Sequence, residues 1–325
     1  MQTISPVAGW SLDYITALDL HWPGAAGTFL RASAERRQVV AALLSTKSIP
    51  SQLTEAEKLA EFISRANHKA ILKAAYGTIP PGIRGALARS GSQPHPRAFY
   101  RYLFQMLSTS SRKSVVAVIK QLESIDLMRL RVAQRLAEDI CTARLVAIIG
   151  SVGLASDVDK LVNLMTSSGI DRAGLAQALK CVSSADELSE LWWRWSLKLA
   201  FPLHPAPASE RYIPITNGVE LRQLALKYRN CARRYLAQSL EGQSAFAEFL
   251  DSGKRCVIHL SREADGWVFE GAFAKDNGLV APELRSAAIA YLADHDIRTR
   301  PKPSRGSVSE WEVLRRLSQT HMFDF

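Results

Sequence analysis

Apolar residues recur at intervals of three and four through the first 200 positions. This spacing predicts that the segment folds into helices, each of which buries one side. Val115, Val118 and Leu122, for example, fall on a single stripe. Glycine and proline residues separate the successive stripes, as is usual between helices. The pattern predicts helices at 32–46, 54–76, 96–108, 111–125, 128–149, 156–167 and 184–200. Because no repeat period connects them, we expect an irregular helical array and not a solenoid.

The pattern changes after a proline-rich stretch, PLHPAPAS at 202–209. Prolines at this density cannot continue a helix and favour an extended spacer, so we place a domain boundary here. Beyond it, residues 255–262 and 267–274 alternate with a period of two around Asp265-Gly266, which predicts a β-hairpin. Pairing across this turn places Ile258, Leu260, Phe269 and Phe273 on one face of the hairpin and His259, Ser261, Glu270 and Ala272 on the other.

Helices are predicted on both sides of the hairpin in the sequence, at 219–240 and 282–295. The apolar stripe of the first helix consists of Leu221, Leu224, Tyr228, Cys231 and Tyr235. The predicted fold class is mainly α, with an irregular helical N-terminal domain followed by a small α+β domain that contains a β-hairpin. We expect a basic all-helical domain at 1–201, the linker at 202–209, the α+β domain at 210–297, and a basic flexible tail at 298–325 with a short C-terminal helix.

Cysteine and histidine usage excludes several classes of protein. The four cysteines form no Cys-x-x-Cys pair and the seven histidines show no metal-ligand spacing, so we expect no metal site and no cofactor. The first residues lack the basic and apolar regions of a signal peptide, and the weakly polar run at 145–155 is too short to span a bilayer. These features predict a cytoplasmic protein without a membrane span.

Positive charge is concentrated in the predicted helical domain. Residues 31–150 hold 19 basic and 8 acidic residues, a net charge of +11, whereas the whole chain has +10. Aromatic residues at 99, 100, 102 and 104 are interleaved with part of the basic run. Cations that neutralise phosphates and rings that stack on bases are typical of nucleic-acid-binding surfaces. The alternative is that these aromatic residues belong to the core of a helix whose other side is solvated.

The basic residues supply candidate phosphate contacts. Those in the helical domain are Arg84, Arg89, Arg97, Arg101, Arg112 and Lys113. A second basic face, on the helix predicted at 219–240, consists of Arg222, Arg229 and Arg233, with Arg234 adjacent, and its candidate contacts are Arg229, Arg233 and Arg234. A solvated face without a partner is the alternative interpretation of this second set.

A cysteine, a histidine and a carboxylate form the candidate catalytic set, Cys231, His259 and Glu270. A reactive thiolate needs a nearby base, and the base needs a carboxylate that orients it. The alternative is that Cys231 packs in the apolar stripe of its helix as an inert, buried thiol. Aromatic residues that could dock are Phe323 and Phe325, in a pocket on this chain or another, and Trp193, whose alternative is a contact in the core or between domains.

Short motifs run through residues 219–295. They are Tyr228-Arg229-Asn230-Cys231 followed by Tyr235, then Gly242, the VIHL and WVFEGAF strands, Asp276-Asn277-Gly278 and Pro282-Glu283-Leu284. In order and spacing this set resembles the PcfJ-like family, although Asn230 stands where many members have histidine. The family's association with conjugative plasmids and mobile elements implies a setting of DNA processing or DNA transfer, without catalytic residues that could be transferred to this chain.

The preferred interpretation is a nucleic-acid-binding accessory protein of a mobile element, conjugation or defence system. It would contact the phosphate backbone through its basic helical surface, with DNA expected as the partner rather than RNA. Two alternatives stay open. One is a subunit of a larger nucleoprotein assembly that acts mainly through protein–protein docking. The other is a cysteine-dependent enzyme that uses Cys231 and His259, whereas the preferred interpretation involves no enzymatic activity.

Overall fold

The computed structural model describes residues 9–46, 50–109, 111–299 and 311–318. Its contacts divide the chain into two compact units, Met1–Ser156 and Asp157–Phe325, and the division falls inside a helix at Val152–Ser167. The proline-rich segment at 202–209 lies within the second unit, where Ala206 is part of the hydrophobic core. Contacts alone do not show where a domain can fold independently, so the boundary at 202–209 stays a prediction.

The described residues of the first unit form α-helices joined by short connections, with a 3-10 turn at Ser51–Leu53. The α-helices are α1 (Trp10–Asp19), α2 (Ala25–Arg31), α3 (Ala34–Leu44), α4 (Ala56–Arg65), α5 (His68–Tyr76), α6 (Ile83–Ala88), α7 (Arg97–Thr109), α8 (Lys113–Gln121), α9 (Leu127–Arg135), α10 (Ala143–Ile148) and α11 (Val152–Ser167), which continues into the second unit. In α3, α5, α9 and α10, the side-chain oxygen of the residue before the helix accepts a hydrogen bond from a backbone amide of the first turn.

Two of the long helices predicted from periodicity are wrong, because a new helix begins inside each. The segment at 54–76 forms α4 and α5, since Ala66 is extended and the Asn67 side chain caps α5. The segment at 128–149 forms α9 and α10, and the Thr142 side chain caps α10 in the same way. Buried apolar residues occur on both sides of each interruption, so the apolar pattern alone does not reveal the break.

Arginine side chains cap the C-terminal ends of helices in this unit. Arg36 donates to the end of α4, Arg89 to the end of α8 and Arg112 to the end of α9. Each guanidinium reaches two backbone carbonyl oxygens. The last carbonyls of a helix have no partner within it, and that end of the helix is electrically negative. A planar cation with several donors therefore stabilises these ends in a way that a single amine cannot.

A buried glutamine fixes the irregular segment between α6 and α7. Gln38 of α3 is 0% exposed, and its Nε2 donates to the carbonyls of Gly91 and Gln93 at 2.9 and 2.7 Å. Its Oε1 accepts from the Tyr100 hydroxyl of α7 at 2.7 Å, and that hydroxyl accepts from the His95 amide at 3.0 Å. Because buried polar groups need partners, this side chain joins α3, α7 and the loop that precedes α7.

The second unit combines helices with a five-stranded mixed sheet. Its helices are α12 (Arg172–Cys181), α13 (Ala185–Ser196), α14 (Gly218–Tyr228), α15 (Leu236–Leu240), α16 (Pro282–Ala293) and α17 (Glu312–Leu317), and its strands are β1 (Tyr212–Pro214), β2 (Ser244–Asp251), β3 (Lys254–Glu263), β4 (Gly266–Phe273) and β5 (Arg298–Thr299). The strands lie in chain order, antiparallel except for the parallel pair β4 and β5. This arrangement confirms the predicted fold class, mainly α with a small α+β part that contains the hairpin β3–β4.

Helices cover both faces of the sheet. Leu284, Ala288 and Leu292 of α16 pack against one face, in the core of the unit. On the other face, Tyr228 of α14 donates to Glu248 of β2. Glu248 is buried, and its pKa is lowered because the hydrogen bonds and charges of neighbouring donors outweigh the effect of burial. The sheet therefore lies between α16 on one face and the helices α14 and α15 on the other.

A β-bulge interrupts the hairpin. Leu260 pairs with Phe269, but the preceding His259 pairs with Gly271, so Glu270 is an extra residue in β4. Gly271 suits this position because a Cβ there would lie 2.8 Å from the Phe273 ring. Because the bulge adds one residue, each residue of β4 that follows it lies on the opposite face of the sheet from the one that regular alternation would give.

The bulge explains why part of the predicted face assignment is wrong. The core-facing position is confirmed for Ile258, Leu260 and Phe269. Ala272, predicted on the opposite face, pairs with Ile258 and packs against the core. Phe273, predicted on the core face, instead pairs with Val257, which lies outside that core cluster.

The single helix predicted at 219–240 is also wrong, because α14 ends at Tyr228. Arg229 adopts a left-handed conformation, with φ 48° and ψ 52°, and a 3-10 turn at Ala232–Tyr235 precedes α15. Cys231 therefore lies between helices, where it is exposed, and not in a buried apolar stripe.

The short helix expected near the end of the chain is present as α17, which packs against α13 and α15. Its inward side chains, Val313, Leu314 and Leu317, are buried. Within the residues that the structure describes, no helix combines the length and the apolar character needed to cross a membrane.

We expect Gln38→Ala to lower the free energy of unfolding by roughly 3 kcal/mol, because the Tyr100 hydroxyl and two loop carbonyls lose a buried partner. Gln105→Ala, at an exposed position of α7, is the matched control and should change stability by less than about 0.5 kcal/mol. Urea denaturation followed by circular dichroism measures both. Equal stability of the two variants would contradict the role assigned to Gln38.

Candidate functional site

Basic residues of α7 and α9 lie on the exposed sides of two helices that pack together. Arg97 and Arg101 are one turn apart on α7, and Arg131 and Arg135 are one turn apart on α9. At this spacing the Cβ atoms of a pair are about 5–6 Å apart. These four arginines and Tyr102 are called the α7–α9 face below.

Tyr102 lies beside the α9 part of this face. Its ring is partly exposed, and burial raises the pKa of its hydroxyl. The positive charge of Arg131 acts in the opposite direction on this pKa. Arg131 lies on α9, which packs against α7, so the aromatic side chain and the cation belong to neighbouring helices.

The other aromatic residues of the basic run have structural roles. Phe99 and Tyr100 are fully buried, so the interpretation of these two as core residues is correct. Phe104 stacks on Tyr76 of α5, with ring centroids 4.4 Å apart and an interplanar angle of 9°. Of the four aromatic residues, Tyr102 alone is neither buried nor in a ring contact among the described residues.

The cations predicted to bind phosphate divide into two groups. Arg97, whose guanidinium lies 4.7 Å from the centroid of the Trp10 ring, and the exposed Arg101 belong to the α7–α9 face. Arg112 and the exposed Lys113 stand next to that face, because Arg112 donates to carbonyls at the end of α9.

Arg84 and Arg89 lie elsewhere. Arg84 donates to Glu35 of α3 at 2.5 Å, and this hydrogen bond holds the pKa of the Glu35 carboxyl below its usual value. Arg89 lies at the opposite end of α8 from Lys113, where it caps the helix. The structure therefore does not bring these two arginines together with the other four cations.

Arg131 and Arg135 were absent from the predicted set. Their one-turn spacing on a helix is visible in the sequence, as is the charge balance of the segment 97–135, which has eight basic and two acidic residues. The packing of α9 beside α7 is not visible there, and that packing adds these arginines to the same face.

The basic residues of the second unit surround the end of α14. Arg229 is exposed and donates to Asp276 at 2.6 Å, and Asp276 and Asn277 have positive φ values of 59° and 55°. Arg233 is partly buried and Arg234 is exposed. The motif around Arg229 and the motif around Asp276 are therefore in direct contact, although 47 positions separate the two residues.

The structure brings Cys231, His259 and Glu270 to the neighbourhood of one side chain, Tyr235. Burial raises the pKa of the Tyr235 hydroxyl, and the nearby Cys231 and Glu270 act in the same direction. The Tyr235 ring lies edge-on to the His259 ring, with 4.6 Å between centroids. The candidate catalytic residues are thus neighbours of a common aromatic side chain.

Hydrogen bonding within this cluster differs from that of a cysteine–histidine pair. His259 is 9% exposed, its ring is stacked on Phe246 at 4.4 Å, and its Nε2 lies 3.4 Å from Ser244 Oγ. Glu270 accepts from Ser261 Oγ at 2.5 Å. In the described part of the chain, the His259 ring packs between two aromatic rings and its hydrogen-bond contact is with a serine and not with Cys231.

Among the residues that the structure describes, no three His, Cys, Asp or Glu side chains are grouped closely enough to hold a metal ion. Trp193 is partly buried on α13, whereas its neighbour Trp192 is fully buried. Phe323 and Phe325, the other docking candidates, lie outside the described residues.

No protein-family model, curated protein or solved structure matches this chain. The resemblance of residues 219–295 to the PcfJ-like family stays a prediction.

We expect acid to destabilise the protein partly through His259. Burial lowers the pKa of the folded-state imidazole from 6.5 to about 4, so the folded state binds fewer protons than the unfolded state in this range. The contribution of His259 to the free energy of unfolding is fully present above the unfolded-state pKa of 6.5 and is lost as the pH falls towards 4. We expect this contribution to fall by roughly 2 kcal/mol between pH 7 and pH 5.

The measurement is chemical denaturation at pH 7 and pH 5. His259→Phe, which keeps a ring between Phe246 and Tyr235, should reduce the loss of stability between the two pH values. His21→Gln, at an exposed position, should leave the loss unchanged. An unaltered pH dependence in His259→Phe would contradict the assignment.

Thiol accessibility tests the position of Cys231. In the native protein Cys181 and Cys231 are exposed, whereas Cys141 and Cys256 are buried, and burial raises the pKa of the Cys256 thiol to about 11. We expect a chromogenic disulfide reagent to react quickly with the exposed pair and with the buried pair only after unfolding. Cys231→Ser should remove half of the fast reaction, and an unchanged fast phase would show that Cys231 is protected.

Proposed function

We propose that this protein binds nucleic acid through the phosphate backbone, with the α7–α9 face as its contact surface. In this proposal it is a cytoplasmic accessory protein of a mobile element, conjugation or defence system, and DNA is its partner rather than RNA. The binding surface is supported by the geometry of the first unit. The biological setting is supported by the resemblance of residues 219–295 to the PcfJ-like family.

The observation on which the binding proposal depends is the contact between α7 and α9. It brings two helices that carry exposed arginines next to each other, and Tyr102 of α7 lies within the field of Arg131 on α9. Arginine presents a planar set of donors that matches phosphate oxygens, and each phosphate contact releases condensed counterions. Several such contacts on one surface give binding that depends strongly on salt.

The other charges of the first unit support this choice of surface. Much of its acidic charge is engaged in local ion pairs, such as Glu55 with Lys58 and Glu61 with Arg65. Asp126, one of the two acidic residues between 97 and 135, pairs with Arg129 at 2.5 Å. Residues 97–135, which include α7 and α9, therefore carry a net positive charge.

The geometry favours contacts to the backbone over reading of base sequence. The arginines lie on the sides of two packed helices, and the described part of this surface contains no isolated helix that could enter a groove by itself. Phosphate contacts position a protein on nucleic acid without distinguishing base sequence. Arg229, Arg233 and Arg234 of the second unit are proposed as additional contacts.

We expect the double variant Arg101→Ala/Arg131→Ala to bind DNA more weakly at low salt and with a smaller salt dependence. Loss of two phosphate contacts should reduce the slope of log K against log salt by about 2 on a duplex. Fluorescence anisotropy with labelled DNA across a salt titration measures affinity and slope together.

The matched control is Lys58→Ala together with Arg65→Ala, which removes the same charge from α4. This double variant should retain the slope of the unaltered protein. If both double variants reduce the slope equally, the binding depends on net charge and not on the α7–α9 face. If the unaltered protein shows no salt-sensitive binding, the proposed function is wrong.

A further inference from the structure

The α7–α9 face contains one aromatic ring that the fold itself does not use for ring stacking. Phe99 and Tyr100 are buried, and Phe104 is stacked on Tyr76. Tyr102 is partly exposed and takes part in no ring contact among the described residues. Its side chain therefore presents apolar ring surface beside a group of cations.

The cations near this ring belong to two packed helices. Arg101 is exposed next to Tyr102 in the sequence of α7, and Arg131 is exposed on α9, from which its charge acts on the Tyr102 hydroxyl. Each of these arginines has an arginine one turn away on its own helix, Arg97 and Arg135 respectively. Exposed cations on two packed helices near a partly exposed ring can bind the phosphates of a strand while a base stacks on the ring.

We infer that the α7–α9 face binds single-stranded nucleic acid, with a base stacked on Tyr102 and the flanking phosphates at Arg101 and Arg131. This inference rests on the proposed function and specifies its substrate class. In a duplex each base is already stacked between its neighbours, so the Tyr102 ring has no free base face to contact. In a single strand a base can leave its neighbours and stack on the ring. Stacking of this kind is tolerant of base identity, since every base has a π face.

Fluorescence anisotropy with three labelled probes tests the inference. The probes are a 15-nucleotide oligo(dT) strand, a strand of equal length with abasic sites throughout, and a 15-base-pair duplex, each at low salt. Tyr102→Ala should weaken binding to oligo(dT) about tenfold and leave binding to the abasic strand and the duplex unchanged. Tyr102→Phe should bind all three probes as the unaltered protein does, because it keeps the ring.

Two further variants separate stacking from effects on folding. Tyr102→Leu keeps apolar bulk on the side of α7 without a π face, so it should show the same selective loss even if the alanine variant is unstable. Gln105→Ala, one turn from Arg101 on the exposed side of α7, should leave all three affinities unchanged. Thermal unfolding of each variant verifies that its fold is retained.

The outcomes distinguish this inference from the proposed function. Equal weakening on all three probes by Tyr102→Leu would mean that Tyr102 only positions Arg131, which overturns stacking and leaves phosphate binding intact. No effect of either Tyr102→Ala or Tyr102→Leu on oligo(dT) would also overturn stacking. Absence of salt-sensitive binding by the unaltered protein to every probe would refute the proposed function together with the inference.

Discussion

Short helices leave carbonyl groups at their C-terminal ends that need donors, and the first unit depends on arginine to supply them. Its described helices have between 6 and 16 residues, so helix ends are frequent along the chain. Arg36, Arg89 and Arg112 each reach from one element to the end of another and satisfy two carbonyls there. These caps and the buried Gln38 position α7 and α9, and the contact between the two helices makes their exposed arginines neighbours. Part of the basic composition therefore serves the fold itself and not a ligand.

The second unit depends on a different constraint, the covering of both faces of its sheet. Strand β2 shows what this requires, because Ser244–Phe249 is buried without alternation. A histidine in such a layer is neutral and packed between rings, as His259 is between Phe246 and Tyr235. The Cys231 thiol is exposed at the edge of the same cluster, so residues that are close in space occupy very different dielectric surroundings.

Apolar periodicity was sufficient to predict the helical first unit, the hairpin β3–β4 and the core-facing positions of Ile258, Leu260 and Phe269, because each follows from spacing along the chain. It could not predict β2, whose burial on both faces removes the alternation that marks a strand. The end of α14 depends on the left-handed conformation of Arg229, which a non-glycine residue does not signal. The bulge at Glu270 and the addition of Arg131 and Arg135 to the candidate site depend on pairing and helix packing, which are long-range properties.

The arginine caps have a consequence for how the chain can change over evolutionary time. A lysine has one compact ammonium group and cannot bridge two carbonyls in the fixed geometry of a guanidinium. Selection should therefore remove arginine-to-lysine substitutions at positions 36, 89 and 112, because each would leave carbonyl groups at a helix end without a hydrogen-bond donor. At positions 101 and 131 the ammonium group of a lysine still attracts a polyanion, so the same substitution should be tolerated much better. In related sequences, the exchange of arginine and lysine would consequently distinguish the cations that maintain the fold from those that face a ligand.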